Sequence, residues 1–165
     1  MKMVNYKLSS FDDAVRRREE AKANGEVVVL TNGCFDFLHV GHILSLESAK
    51  KFGDQLWVAL NSDDSIKMIK GDNRPILMAE ERAYMLAALE CVDGVFLFDG
   101  ITLAEELNLF RPDVYVKSSD YSIDTLNEDE KAVLIDIGAK IEFTEYLDGI
   151  STTKIIDRIK KSYQT

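Results

Sequence analysis

The sequence predicts an α/β fold: a five-stranded parallel sheet flanked by helices. Short, continuous apolar runs rich in β-branched residues recur along the chain, as expected for strands buried on both faces. Helix-length segments alternate with them, which is the pattern of a sheet wound by right-handed crossovers. The length of 165 residues matches one domain, since domains mostly run to roughly 100–200 residues. A single domain over 1–165 is expected, with 1–25 as an N-terminal helical extension.

The elements follow in order. A helix is expected over 10–24, with Ser10 as cap, Asp12 and Asp13 at its positive end and Gly25 as its stop. Val27-Val28-Val29-Leu30 reads as the first strand. Further strands are expected at 55–61, 95–98, 113–117 and 140–144. Helices are expected at 41–52, 62–69, 79–90, 103–109, 127–137 and 151–162. In such sheets, ligands bind beyond the carboxyl ends of the strands.

Composition narrows the function. The chain is 46% hydrophobic and 30% charged, which is globular rather than disordered. Its net charge of −9 repels nucleic acid over most of the surface, so no nucleic-acid partner is expected. No apolar run reaches the roughly 18 residues of a membrane span, and the N-terminus lacks a signal-peptide stretch. Cys34 and Cys91 lie far apart, outside any CxxC pair, as fits free thiols in a reducing compartment. A cytoplasmic protein with no membrane association is expected.

The chemistry-bearing residues gather after the strands. Behind the first come Asn32, Gly33, Phe35, Asp36, His39, Gly41 and His42. Behind the second come Asn61 and Asp63, then Lys67, Lys70 and Arg74; behind the fourth come Lys117 and Asp120. Gly149, Ser151, Thr152 and Thr153 precede or open the last helix. His39 and His42 are the only histidines. If Gly41 opens a helix, both imidazoles lie at its positive end and can donate to phosphate, while glycine lets a ligand approach the backbone. One core and one surface histidine is the plainer alternative. Zinc is disfavoured, because Cys34 is the sole nearby third ligand, and no metal site is expected. Lys67, Lys70 and Arg74 put three cations into eight residues of an acidic chain. They read either as a phosphate clamp or as a solvated helix face. Lys117 divides similarly between a phosphate contact and an exposed strand end. The hydroxyls at 151–153 can cap a helix and hold phosphate oxygens at once. Neither GxGxxG nor a P-loop occurs.

The run Asn32-Gly33-Cys34-Phe35-Asp36-Phe37-Leu38-His39-Val40-Gly41-His42 resembles the GxFDxxHxGH signature of the nucleotidyltransferase superfamily. Ile150-Ser151-Thr152-Thr153 resembles its late ISTT element. Within the superfamily, the chain over about 28–160 is most similar to D-glycero-β-D-manno-heptose 1-phosphate adenylyltransferases, in a stand-alone form without the sugar kinase often fused to them. The resemblance implies a Rossmann-like domain that joins ATP to heptose 1-phosphate, giving ADP-heptose for lipopolysaccharide core and pyrophosphate. It implies Mg²⁺ carried by the ATP, and a homodimer.

The same resemblance assigns roles. His39, His42, Lys70 and Thr152 would be catalytic. Asn32, Gly33, Phe35, Gly41, Lys117, Gly149, Ser151 and Thr153 would join the histidines and Thr152 around the nucleotide. Asp36, Asn61, Asp63, Arg74 and Asp120 would face the sugar or its phosphate. Two departures stand out: Ser118-Ser119 replaces a usual Gly-Gly, and Tyr146 stands where related cytidylyltransferases carry arginine. A cytidylyltransferase for a polyol phosphate such as glycerol 3-phosphate is the alternative, followed by a non-catalytic nucleotide-binding module.

Overall fold

The computed structural model describes residues 5–118, 122–144 and 151–163. A short 3-10 turn, Asn5–Lys7, precedes α1 (Phe11–Ala23), β1 (Val28–Gly33), α2 (Val40–Lys50) and β2 (Gln55–Asn61). Then come α3 (Asp63–Lys70), α4 (Ala79–Ala87), β3 (Gly94–Phe98), α5 (Ala104–Phe110) and β4 (Val114–Ser118). α6 (Glu128–Asp136), β5 (Lys140–Thr144) and α7 (Thr152–Ser162) complete the chain. The sheet runs β3-β2-β1-β4-β5 with every pairing parallel. The winding reverses between β1 and β4, which opens a crevice at their carboxyl ends.

Alternating side chains feed two cores, as the two-residue period of a strand requires. Val28, Leu30, Trp57 and Ala59 pack beneath α1, α5 and α6 with Leu107, Phe110 and Leu134. Val29, Leu56, Val58 and Leu60 pack on the other face with Leu46 and Ala49 of α2 and Leu86 of α4. The N-terminal helix belongs to the first core through Ala14 and Ala21. The Arg17 guanidinium lies 4.4 Å above the Trp57 ring. A Cβ at Gly94 would intersect the Trp57 indole, so glycine is required at that position.

The expected elements are present, with one informative extension. β1 runs on through Thr31, Asn32 and Gly33, three residues past the apolar run. A central strand has ladders on both sides, and β2 pairs with β1 as far as Gly33 and Leu60. Those backbone bonds hold polar residues in strand geometry and deliver them to the crevice. Ser10 caps α1 by accepting from the Asp13 N–H at 3.2 Å, and Gly25 turns the chain with φ of 76°.

Candidate active site

A cavity of about 760 Å³ opens at the carboxyl ends of the strands. Its wall includes Asn32, Gly33, Phe35, Asp36, His39, Gly41, His42, Asn61, Lys70 and Lys117, with Ser151, Thr152 and Thr153 at its far side. Thirteen residues picked from sequence therefore converge on one place. Asp63 and Arg74 are held by other side chains, and Asp120, Tyr146 and Gly149 lie outside the described residues.

The histidines are arranged by the helix they open. His39 is the N-cap of α2, and its Nδ1 accepts from the His42 backbone N–H at 3.3 Å. An accepting Nδ1 leaves the proton on Nε2 in the neutral ring, so His39 is a donor to whatever lies beyond. The two imidazoles stack with centroids 3.7 Å apart. A Cβ on Gly41 would stand 3.2 Å from the His39 ring, so glycine gives that ring its room. Phe35 meets His42 edge-on at 5.1 Å and takes a φ of 41°, a strained value for a phenylalanine. Its ring also presses on Gly33, where an added Cβ would lie 3.0 Å away.

Burial, then the neighbouring His39 and Lys70, push the His42 imidazole down to about 4. His42 is therefore neutral near pH 7, and its Nδ1 is buried without a hydrogen-bond partner among the described residues. Burial likewise lowers His39. A polyanion entering the cavity would oppose these shifts, because negative charge favours the imidazolium.

A second helix points at the same space. Ser151 caps α7 by accepting from the Lys154 N–H at 3.3 Å, and Thr152 Oγ1 reaches the Phe37 carbonyl at 3.5 Å. The N-termini of α2 and α7 thus converge, each bringing free N–H groups and partial positive charge suited to phosphate oxygens.

The three cations go to three different places. Lys67 pairs with Asp64 on the exposed face of α3, while Lys70 lines the cavity. Arg74 is 2.5 Å from Asp36, whose carboxylate also accepts from the Ile76 N–H at 2.6 Å and the Leu77 N–H at 3.3 Å. The Asp36 side chain is only 1% exposed. Asp36 and Arg74 thus pin the α3–α4 loop to the loop after β1. Burial by itself would raise the Asp36 carboxyl, but Arg74 and the two N–H groups outweigh it and hold it below 3.8. The stability contributed by Asp36 is then present above pH 3.8 and lost as pH falls through the lowered folded value. Asp36→Asn should flatten that acid limb in urea titrations between pH 2 and 5. An unchanged limb would assign the acid sensitivity elsewhere.

Asn61 and Asp63 are likewise committed, Asn61 Nδ2 to Ser65 Oγ at 2.9 Å and Asp63 to Arg82 at 2.7 Å. Arg82 itself escaped sequence reasoning. It is wholly buried on α4 and donates to the Leu77, Cys34 and Asn61 carbonyls as well as to Asp63. The available signal was a charged residue on the apolar face of a short helix.

Among the described residues, no cluster of three or more His, Cys, Asp or Glu side chains could hold a metal, and no helix is long and apolar enough to cross a membrane.

A parallel sheet whose switch-point cavity receives two helix N-termini and a stacked histidine pair defines an α/β protein with its candidate ligand site at the strand carboxyl ends. The chain belongs to the Cytidylyltransferase-like family, whose sequence model matches residues 30–158. It is 48% identical over 142 residues to the Bifunctional protein HldE of Geobacter sulfurreducens, covering 86% of this chain and 29% of that protein. Against the Bifunctional protein HldE of Campylobacter fetus, identity is 45% over 93% of this chain and 31% of the relative. The chain therefore spans about a third of the length of these curated relatives. A solved structure, the lipopolysaccharide core biosynthesis protein from Thermoplasma volcanium, superposes with a TM-score of 0.61 at 26% identity. That match covers 76% of this chain and all of the other.

Proposed function

We propose that this chain is an adenylyltransferase that joins ATP to D-glycero-β-D-manno-heptose 1-phosphate, releasing ADP-heptose and pyrophosphate. The observation that carries the proposal is the stacked His39–His42 pair at the N-terminus of α2, facing the N-terminus of α7 across one cavity. Identity of 48% to an HldE protein supports the choice of substrate.

The nucleophile needs no general base. A phosphate monoester has a second pKa of about 6, so the sugar phosphate oxygen is already anionic near neutral pH. Catalysis then consists of aligning two polyanions and stabilising the charge that grows on the α-phosphate during in-line displacement. His39 donates from Nε2, His42 meets the same phosphates, and Lys70 adds a cation from the α3 side. Thr152, Ser151, Thr153 and the α7 N-terminus hold phosphate oxygens, and the Gly33–Phe35 backbone borders the nucleotide. Lys117 closes the site from β4. With no cluster of metal ligands among the described residues, phosphate and water would hold a divalent ion such as Mg²⁺, which would supply partial neutralisation of the triphosphate charge. Asp36, Arg74 and Asp63 serve by holding loops in place. The sugar is left to groups still free to turn toward it.

The direct test is pyrophosphate release across the four nucleoside triphosphates with heptose 1-phosphate. Tyr146 replaces the arginine of cytidine-specific relatives, so a buried pyrimidine carbonyl would lack its donor, at a cost of about 1–3 kcal/mol. Adenine offers no such carbonyl. ATP should therefore exceed CTP in kcat/KM by at least about tenfold. Equal or better turnover with CTP would overturn the adenylyl assignment. Lys70→Ala should raise the KM for ATP, since Lys70 is the cavity-lining lysine of the α3 segment. An unchanged KM would return Lys70 to the solvated face of its helix.

A further inference from the structure

On the α5–α6 side of the cavity, a chain of hydrogen bonds runs outward from buried backbone to Asn32. The Leu103 N–H donates to Glu130 Oε1 at 2.9 Å, and Tyr115 Oη lies 3.1 Å from Glu130 Oε2. The same phenol lies 2.9 Å from the Asn32 side-chain oxygen. Tyr115 and Leu103 are fully buried and Glu130 is 5% exposed, whereas Asn32 forms part of the cavity wall.

A phenol carries one proton, yet both of these neighbours are placed as acceptors. Glu130 as a carboxylate is the stronger acceptor, because hydrogen bonds to ionised groups are roughly twice as strong as neutral ones. Tyr115 therefore donates to Glu130, and its second neighbour must be a donor. Asn32 supplies one by turning its amide half a turn about Cβ–Cγ, which exchanges Nδ2 for Oδ1 and moves no other heavy atom. Its carbonyl oxygen then faces the ligand.

We infer that Tyr115 and Glu130 fix the Asn32 amide so that it offers the cavity an acceptor, and that this acceptor receives a hydrogen bond from a sugar hydroxyl of a bound substrate. The role rests on the sugar-nucleotide reaction proposed above. Phosphate is a poor match, since an amide oxygen repels it, and the phosphate donors lie on α2 and α7. Asn32 points the other way: it alternates with Thr31 and shares the Val28 and Leu30 face that packs under α5 and α6. Both substrates carry sugar hydroxyls, the ribose of ATP and the acceptor sugar. Tyr115 and Glu130 are positioning residues, and Asn32 is the residue that touches substrate.

Two variants test the polarity without emptying the core. Tyr115→Phe deletes only the phenol oxygen. Glu130→Gln keeps an acceptor for Leu103 and presents an amide N–H₂ to Tyr115, which frees the phenol proton for Asn32 and turns the Asn32 NH₂ toward the ligand. The unmodified protein should lose about five- to tenfold in kcat/KM with one deoxy analogue, as expected for one neutral hydrogen bond. 2′- and 3′-deoxy-ATP probe the ribose, and deoxy heptose 1-phosphates probe the acceptor. Both variants should show a similar loss with the natural substrates and no further loss with that analogue. Undiminished turnover of every deoxy analogue, or variants that still discriminate, overturns the assignment. The NMR signals of the Asn32 side-chain NH₂ report its orientation even without turnover. They should be protected in the ligand-free protein and lose protection in Tyr115→Phe. Exposed signals in the unmodified protein overturn the orientation, whereas protected signals without heptose turnover would count against the proposed reaction alone.

Discussion

His42→Ala is expected to lower kcat by about a hundredfold or more while leaving the fold intact, the usual cost of losing one transition-state donor. Its ring lies between Phe35 and His39 at the mouth of α2, with Nδ1 lacking a partner among the described residues. A buried polar atom without a partner is costly, and a phosphate oxygen would relieve it. Protonation supplies a second readout. In the free protein His42 stays neutral down to about pH 4, against an ordinary value of 6.5. A triphosphate beside it raises that value, so between those limits nucleotide binding must take up a proton. ATP binding followed by calorimetry in buffers of different ionisation enthalpy should show uptake near pH 5.5 that fades by pH 8. His42→Ala should remove the His42 share of that uptake and leave what His39 contributes. Depressed pKa values also carry a stability sign: as pH falls below 6.5 the unfolded chain takes up the proton first, so the folded state loses stability until about pH 4. A folded His42→Ala protein with full turnover and unchanged uptake would take the histidine out of the mechanism.

The fold was legible because its signals are local. β-branched runs such as Val27–Leu30, the Ser10 cap and the Gly25 stop act within a few residues, and β1 extended past its run because the ladder to β2 continues. The histidine pair was legible for the same reason: an i, i+3 spacing across a glycine already describes a helix mouth. The cations were not. Lys67, Lys70 and Arg74 are neighbours in sequence, yet one pairs with Asp64, one lines the cavity and one is captured by Asp36. Asp36 and Arg74 are 38 residues apart, and sequence proximity says nothing about such a pairing. The Asn32–Tyr115–Glu130 chain was hidden likewise, since it joins β1, β4 and α6 across 83 and 15 residues.

Arg82 shows most clearly what a long-range network contributes, and its removal should have the largest effect on stability. Its guanidinium is fully buried and donates at 2.9 Å to the Leu77 carbonyl, at 2.7 Å to Cys34, at 2.8 Å to Asn61 and at 2.7 Å to Asp63. Those four acceptors belong to the loop after β1, the end of β2, the first turn of α3 and the loop before α4. No shorter or single-point donor can span them; the planar fork of arginine can. Arg82→Met fills similar volume but leaves three carbonyls and a carboxylate without their donor. Breaking a buried ion pair on one side typically costs about 3–5 kcal/mol. For a domain of this size that is about 6–20 °C in Tm. Arg82→Lys should recover only part, because an ammonium cannot meet both Cys34 and Asp63. The loss should also reach the site. The Cys34 carbonyl is one bond from the strained Phe35 that braces His42, so turnover should fall even at temperatures where the variant is fully folded. Thermal and urea unfolding, paired with kcat at low temperature, separate the two effects. An Arg82→Met protein with an unchanged urea midpoint would mean that water replaces the guanidinium at little cost and that the loops hold their own course.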